Sequence, residues 1–94
     1  MTERGTQWQT EEDLDLLTEE VKEHAIILFN DDVNTFDYVI ELLVKYCGHD
    51  PIQAEQCAFI VHYKGKCDVM HGTYEKLEPV CTKLLESGLS AEIQ

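Results

Sequence analysis

A run of five apolar residues, AIILF from Ala25 to Phe29, is followed directly by Asn30, Asp31 and Asp32. A short apolar run that is rich in β-branched residues is typical of a buried β-strand. Asparagine and aspartate favour turns, because their side chains bond readily to nearby backbone groups. The sequence therefore predicts a buried strand from which the chain turns away at residue 30.

Two helices are predicted in close succession after this turn. The first begins at Phe36, behind the candidate N-cap Thr35, and is stopped by Gly48. Asp50 and Pro51 supply the N-cap and the first turn of the second helix. Apolar residues recur at helical spacing on both. They are Phe36, Val39, Ile40, Leu43, Tyr46 and Cys47 on the first helix, and Ala54, Cys57, Ala58 and Val61 on the second.

His62 shares the apolar face of the second helix, so we expect its side chain to point toward the body of the protein. Gly65 then ends this helix. The alternating residues Lys66 to His71 (KCDVMH) predict a half-buried strand directly after it.

A third helix is predicted behind the candidate cap Thr73, and Gly88 ends it. Pro79 should kink or divide this helix, because a mid-helix proline removes a hydrogen bond. Leu89 to Ile93 return as a last strand. The buried face of the helix is predicted to be Leu77, Val80, Cys81, Leu84 and Leu85. The fold class is therefore α+β, a single small domain in which a three-stranded antiparallel sheet packs with three helices in the order β-α-α-β-α-β.

The start of the chain differs in composition from the rest. Residues 1–24 hold eight acidic and two basic residues, so they carry half of the net charge of −12. Ordering such a segment costs backbone entropy and buries little apolar area in return. We predict a flexible acidic extension over residues 1–23 and a folded core over residues 24–94. Four apolar residues in the extension could dock on a partner as a short helix: Leu14, Leu16, Leu17 and Val21.

The whole chain has 19 acidic against 7 basic residues, which repels phosphates and anionic lipids and attracts cations such as a peptide's α-ammonium group. Neither nucleic acid nor a membrane is therefore an expected partner. No apolar run approaches the roughly 20 residues of a membrane span, and the first residues do not resemble a signal peptide. We expect a cytoplasmic protein. Its four cysteines are too widely spaced for a CxxC motif or a disulfide framework, so reduced, buried thiols are predicted.

The candidates for binding chemistry are Asn30, Asp31, Asp32 and His62. Carboxylates beside an amide oxygen can bind an ammonium group through charge-assisted hydrogen bonds, although the same residues could simply form a turn. A lone histidine on an apolar face is more often structural than a ligand. Together the two features predict a small apolar pocket with a polar rim. Its apolar side would be formed by Leu28, Val39, Ala58 and Val61.

Two other chemistries have little support in the sequence. His62, Cys67 and His71 are spaced as His-x4-Cys-x3-His, which does not match the usual zinc spacings, so neither a metal nor a cofactor is predicted. Asp31 or Asp32 with His62 could form the acid–base pair of a small hydrolase, but no nucleophile or oxyanion donor accompanies them. We predict that the protein is not an enzyme.

Two segments, HAIILFNDDVNTFDYVIELLVKYCG at 24–48 and QAEQCAFIVHYKGK at 53–66, resemble the ClpS family of adaptors for ATP-dependent Clp proteases. The most specific parts are Asn-Asp-Asp after an apolar strand and Val-His-Tyr-x-Gly-Lys from Val61 to Lys66. Both occur at the separation that the family shows. The similarity extends more loosely to Leu85.

The resemblance implies an adaptor that binds proteins whose free N-terminal residue is bulky and hydrophobic (Leu, Phe, Tyr or Trp), which is an N-degron. It would deliver them to the N-terminal domain of a Clp AAA+ unfoldase of the ClpA or ClpC type. Carried over by position, the residues that hold the α-ammonium group and first peptide group would be Asn30, Asp31, Asp32 and His62. Those that line the side-chain pocket would be Leu28, Asn34, Phe36, Val39, Ala58 and Val61.

The pocket residues depart from the family pattern at two positions. Phe36 stands where a methionine is frequent, and Ala58 stands where a larger residue is common. We therefore hypothesise a roomier pocket that favours aromatic first residues, unless Phe36 or Phe59 fills the space.

Tyr63 and Glu75 match positions that the family uses to contact the unfoldase, whereas the segment CDVMH and Val80 depart from its pattern. An alternative function for the same fold is a non-catalytic scaffold or interaction module that binds no N-degron. The two functions differ in whether the Asn-Asp-Asp turn and His62 meet at a pocket.

Overall fold

The apolar run after residue 24 forms the central strand of the sheet. The computed structural model describes residues 22–94, in which strand β1 (His24–Phe29) is paired on both edges. Strand β2 is Lys66–Gly72 and strand β3 is Ser90–Ile93, and both run antiparallel to β1 in the order β2-β1-β3. The predicted three-stranded antiparallel sheet is confirmed. Residues 1–21 of the predicted extension, with its apolar cluster, lie outside the described residues.

Three helices connect the strands in the predicted order. They are α1 (Phe36–Cys47), α2 (Pro51–Lys64) and α3 (Tyr74–Glu86). Each begins at the predicted N-cap, because the side chains of Thr35, Asp50 and Thr73 each accept a hydrogen bond from a backbone N–H in the first turn. None of the helices within residues 22–94 is both long and apolar enough to cross a membrane.

Two expectations for α3 were wrong. The helix is not divided at Pro79 but runs on without interruption, and Pro79 is exposed. An exposed position allows water to satisfy the carbonyl that a proline leaves without an N–H donor. Leu85 is 50% exposed instead of buried, because it lies at the edge of the apolar face that Leu77 and Leu84 centre on the core.

The core lies between the sheet and the helices. Its largest fully buried side chains come from the sheet (Ile26 and Leu28), from α1 (Leu43) and from α3 (Leu77 and Leu84). Together with the smaller buried residues of α2, they form one connected apolar cluster. Burying a side chain of this size contributes about 1.5–3 kcal/mol each, so the cluster fixes how the helices sit on the sheet.

His49 connects the turn between α1 and α2 to the sheet. Its side chain is 5% exposed, and its Nε2 lies 2.6 Å from the carbonyl oxygen of Val69. Val69 is the residue left without a partner where the β1–β2 register shifts. Because a carbonyl only accepts, Nε2 carries the proton and His49 donates to this bulge residue. Hydrophobic periodicity does not predict this role, since His49 lies between a helix stop and an N-cap.

The four cysteines are free thiols. Cys57 and Cys81 are buried as predicted, whereas Cys47 and Cys67 are only partly buried. Burial raises the pKa of the Cys47 thiol to about 11 and also raises the pKa of Cys67 and Cys81. These three thiols are therefore protonated at neutral pH, and a protonated thiol is a poor nucleophile.

Candidate functional site

A cavity of about 380 Å³ lies where the end of β1 meets the start of α1 and the second half of α2. Its apolar lining is Leu28, Phe29, Phe36, Val39, Ala58, Val61 and Leu89, and its polar lining is Asn30, Asp31, Asp32, Asn34, His62 and Tyr63. The ten residues predicted for amine binding and for the side-chain pocket all belong to this lining. The turn and the histidine therefore meet at a pocket.

The loop after β1 is organised by Asp31. Its Oδ1 accepts hydrogen bonds from the backbone N–H groups of Val33 and Asn34, both at 2.8 Å, and its Oδ2 accepts from the side-chain amide of Asn34 at 2.9 Å. Asp31, more than Asp32, is therefore the residue that supports the loop. Turn formation and a place at the binding pocket were considered as alternatives for this residue. Asp31 has both roles, because it forms the turn and also lines the cavity.

These hydrogen bonds lower the pKa of the Asp31 carboxyl group. Partial burial by itself would raise the pKa of this carboxyl group, but the hydrogen bonds from the backbone and side chain of Asn34 and from Val33 outweigh it. The net effect is a pKa below the ordinary value of 3.8. Asp31 is therefore a fixed anion at the cavity rim at neutral pH.

Two contacts hold the rim to distant parts of the fold. The backbone N–H of Asn30 donates to the carbonyl of Gly65 at 2.9 Å, which joins the loop to the end of α2, three residues beyond His62. The side-chain amide of Asn34 donates to the carbonyl of Gly88 at 3.0 Å, which joins the loop to the turn before β3. Both sides of the rim are thereby fixed relative to each other.

His62 lies between two aromatic rings. Phe36 and Tyr63 both contact it edge to face, with ring centroids 5.4 Å and 4.8 Å away. The residue is exposed, so the expectation that it points into the body of the protein was wrong. Within residues 22–94 its ring nitrogens make no hydrogen bond, so packing rather than hydrogen bonding orients the ring toward the cavity.

The rim can therefore offer several acceptors to a bound cation. The side chains of Asn30 and Asp32 are exposed, and neither hydrogen-bonds to another side chain within the described part of the chain. The cavity lining includes no lysine or arginine. An ammonium group needs up to three acceptors, and anionic acceptors give the strongest bonds.

The floor of the cavity is apolar and firmly held. Leu28, Ala58 and Val61 are each 5% exposed or less, and they come from the central strand and from α2. Phe36 forms the outer wall and packs edge to face on Phe59, with ring centroids 4.9 Å apart. Ala58 contributes only a methyl group to this floor.

Several site features were not anticipated from the sequence. Leu89 lines the cavity and is 4% exposed, although it was assigned only to the last strand. Tyr63 also lines the cavity, whereas Glu75 is exposed in the first turn of α3, away from the lining. The available signal was Gly88 directly before Leu89. A glycine favours a turn, and an apolar residue directly after a turn is a candidate for burial.

Two alternative chemistries considered for the sequence are a metal site and a small hydrolase. In the region from residue 22 to 94, no three side chains of histidine, cysteine, aspartate or glutamate converge, so His62, Cys67 and His71 do not form a metal site. The cavity lining contains no serine, threonine or cysteine that could pair with His62 as a nucleophile.

The chain is similar to known proteins of one family. The family model for "ATP-dependent Clp protease adaptor protein ClpS" matches residues 19–92. The chain is 32% identical over 90 residues to the ATP-dependent Clp protease adapter protein ClpS of Mycobacterium bovis BCG, which covers 96% of this chain and 87% of the relative. It is 42% identical over 43 residues to the same adapter of Salmonella gallinarum, which covers 46% of this chain and 41% of the relative.

The fold is also found among solved structures. The structure of Agrobacterium tumefaciens ClpS2 bound to L-phenylalaninamide matches with a TM-score of 0.67 at 18% sequence identity. The match covers 78% of this chain and 95% of ClpS2. At this identity the likeness concerns the fold alone, whereas the family model spans most of the chain. The chain therefore belongs to the ClpS family of adaptors for ATP-dependent Clp proteases.

Proposed function

We propose that this chain binds the free N-terminus of proteins that begin with a bulky hydrophobic residue and delivers them to a Clp AAA+ unfoldase. The observation that carries this proposal is one cavity with an apolar floor and a rim of acceptors without lysine or arginine. A protein N-terminus presents an ammonium group beside the first side chain. A bulky apolar first residue therefore complements both parts of the cavity.

The α-ammonium group would be bound at the rim by Asn30, Asp31, Asp32 and His62. Asp31 supplies a negative charge, since its pKa is held below the ordinary value of 3.8. An internal residue offers only a neutral amide N–H at the same place. It would leave acceptors that the bound peptide shields from water unsatisfied, at a cost of about 1–3 kcal/mol per group, which favours a free N-terminus.

The first side chain would be bound on the apolar floor, with Asn34 and Phe36 at its edge. Burying a leucine or phenylalanine side chain there contributes roughly 1.5–3 kcal/mol. The ligand bound to Agrobacterium ClpS2, L-phenylalaninamide, has the same two features, a free amine and an aromatic side chain. Small or charged first residues would bind weakly, because they gain little from an apolar floor.

A peptide titration tests N-terminal recognition. A fluorescent peptide that begins with phenylalanine is titrated with the protein, next to its Nα-acetylated twin and a peptide that begins with alanine. We expect micromolar or tighter binding of the free phenylalanine peptide, about 8 kcal/mol, and much weaker binding of the other two. Equal binding of the acetylated twin would contradict amine recognition. No binding of any peptide would favour the scaffold alternative.

Delivery would use Glu75, which lies outside the cavity lining, together with Tyr63, which is part of that lining. Glu75 is exposed in the first turn of α3, outside the cavity lining, and we propose that Glu75 and Tyr63 contact the N-terminal domain of a ClpA- or ClpC-type unfoldase. A Glu75→Lys variant should bind the phenylalanine peptide normally but slow degradation of a phenylalanine-led reporter by the unfoldase and its protease. Normal degradation by this variant would remove Glu75 from the contact.

The chain itself would perform no chemistry on the bound peptide. The cavity lining holds no serine, threonine or cysteine beside His62, and three of the four thiols have raised pKa values. Peptides incubated with the purified protein alone should stay intact, as mass spectrometry would show. We place this activity in the cytoplasm.

A further inference from the structure

Four rings meet at one side of the cavity mouth. Phe36 contacts both Phe59 and His62, and Tyr63 contacts His62 from the opposite side. Tyr63 also stacks on Phe59, with centroids 5.9 Å apart and ring planes only 7° from parallel. We call the stacked pair of Phe59 and Tyr63 the aromatic ledge.

The aromatic ledge is exposed to solvent and continuous with the cavity. Phe59 is 43% exposed and Tyr63 is 74% exposed, and the two are one helical turn apart on the outer face of α2. Single exposed apolar residues are common on protein surfaces, but adjacent ones beside a pocket indicate a binding surface. Tyr63 also lines the cavity, whereas Phe59 extends the surface away from it.

We propose that the aromatic ledge binds the side chain of the second residue of the N-degron and so adds a second position of specificity. This inference rests on the proposed function, because it takes the first residue to be held at His62. Tyr63 follows His62 directly in α2, and both residues line the cavity. The ledge therefore begins beside the residue that would hold the N-terminus.

The geometry also fixes which side chains the ledge prefers. Its two rings are nearly parallel, so they offer an edge and a partly open face rather than a hole. Flat or extended apolar side chains cover such a surface best, and a second aromatic ring gains offset or edge-to-face contacts. A glycine at the second position gains none. We expect a second-position tryptophan to raise affinity about three- to tenfold over glycine.

Peptides that differ only in the second residue test this proposal without any unfoldase. Free and Nα-acetylated peptides that begin Phe-Gly, Phe-Ala or Phe-Trp are titrated with the wild type and with Phe59→Ala, Tyr63→Ala and Tyr63→Phe. We expect the Phe-Trp to Phe-Gly affinity ratio to fall toward one in the two alanine variants and to be retained in Tyr63→Phe, which keeps the stacked ring.

Ile52→Ala is the matched control. Ile52 is 69% exposed on the same helix but does not line the cavity, so this variant should keep the wild-type ratio. Thermal unfolding of every variant shows whether it is folded. If Ile52→Ala lowers the Phe-Trp to Phe-Gly affinity ratio as much as Tyr63→Ala does, the higher affinity for Phe-Trp reflects nonspecific contact with α2. The proposal is then wrong.

Other results separate the ledge from the proposed function. If Phe-Gly binds and its acetylated twin does not, but Phe-Trp binds no better, the ledge is wrong and N-terminal recognition stands. A gain from tryptophan at the third residue in place of the second also overturns the assignment. If the free peptides bind no better than the acetylated ones, both the proposed function and the ledge fail.

Discussion

The side-chain amide of Asn34 donates a hydrogen bond to the main-chain carbonyl of Gly88, 54 residues further along the chain. The same nitrogen also donates to Asp31, so a single side chain joins the loop after β1 to the turn before β3. A second hydrogen bond, from the Tyr38 hydroxyl to the carbonyl of Ser87 at 2.6 Å, ties the same two regions together. The shape of the cavity rim therefore depends on contacts between two loops that are distant in sequence.

Asn34→Ala should weaken peptide binding more than its effect on stability implies. It removes the bonds to Asp31 and Gly88, so we expect a loss of about 1 kcal/mol in the free energy of unfolding and about fivefold in affinity for a phenylalanine-led peptide. Tyr38→Phe is the control, because it removes the hydrogen bond from the Tyr38 hydroxyl to the carbonyl of Ser87, and Tyr38 does not line the cavity. Urea unfolding and peptide titration of both variants check this. Equal loss of affinity in the two would show that the rim responds only to overall stability.

Ala58→Met should change which first residues bind. Ala58 is 2% exposed and forms part of the cavity floor, so a methionine there projects into the open space. We expect the affinity for a tryptophan-led peptide to fall about tenfold relative to a leucine-led one, because overpacking costs roughly 1–3 kcal/mol. Titration of both peptides with the wild type and the variant measures this. A wild type that favours leucine over tryptophan would contradict the hypothesis of a roomier pocket.

The ionisation of Asp31 should be visible at low pH. Its folded pKa lies below the unfolded value, so the ionised form stabilises the loop above about pH 4, and this contribution is lost as the pH falls through the folded pKa. The amide proton shifts of Val33 and Asn34 should titrate together with a midpoint below 3.8. NMR spectra between pH 2 and about 6 measure this. The transition should vanish in Asp31→Asn, and a midpoint above 3.8 would refute the assigned hydrogen bonds.

His49→Ala should destabilise the fold without touching the cavity. The variant leaves the carbonyl of Val69 without its donor in a buried place, which costs about 1–3 kcal/mol. His71→Ala is the matched control, since the His71 side chain contacts Asp68 at an exposed position, at 2.8 Å, and its loss should change the free energy of unfolding by less than about 0.5 kcal/mol. Urea unfolding compares the two. Similar small effects would mean that water replaces His49 at the bulge.

The secondary structure could be predicted from the sequence because its signals are local. The caps at Thr35, Asp50 and Thr73, together with the stop at Gly48, depend on residues within one turn of the chain. The apolar run of β1 identified the central strand for the same reason. These features need no information about what the elements pack against.

The packing at the edges of the helices could not be predicted in this way. Helical periodicity says which residues share a face but not where that face ends, so His62 and Leu85 were placed inside when both are exposed. Contacts such as that between His49 and Val69 join residues that come close together only when the sheet forms. The turn, His62 and four apolar residues of the cavity were anticipated from the sequence pattern, and Asn34 and Phe36 through the family resemblance. The bond from Asn34 to Gly88 was not anticipated.

The position of β1 between the two other strands links the cavity to the rest of the domain. Phe29 and Asn30 lie at the end of this strand, so the rim cannot come apart without loosening the hydrogen bonds on both edges of the sheet. A ligand bound at the rim stabilises the intact three-stranded sheet by mass action. Amide hydrogen exchange should therefore slow in β2 and β3 when a ligand is bound, although the residues of these strands do not line the cavity.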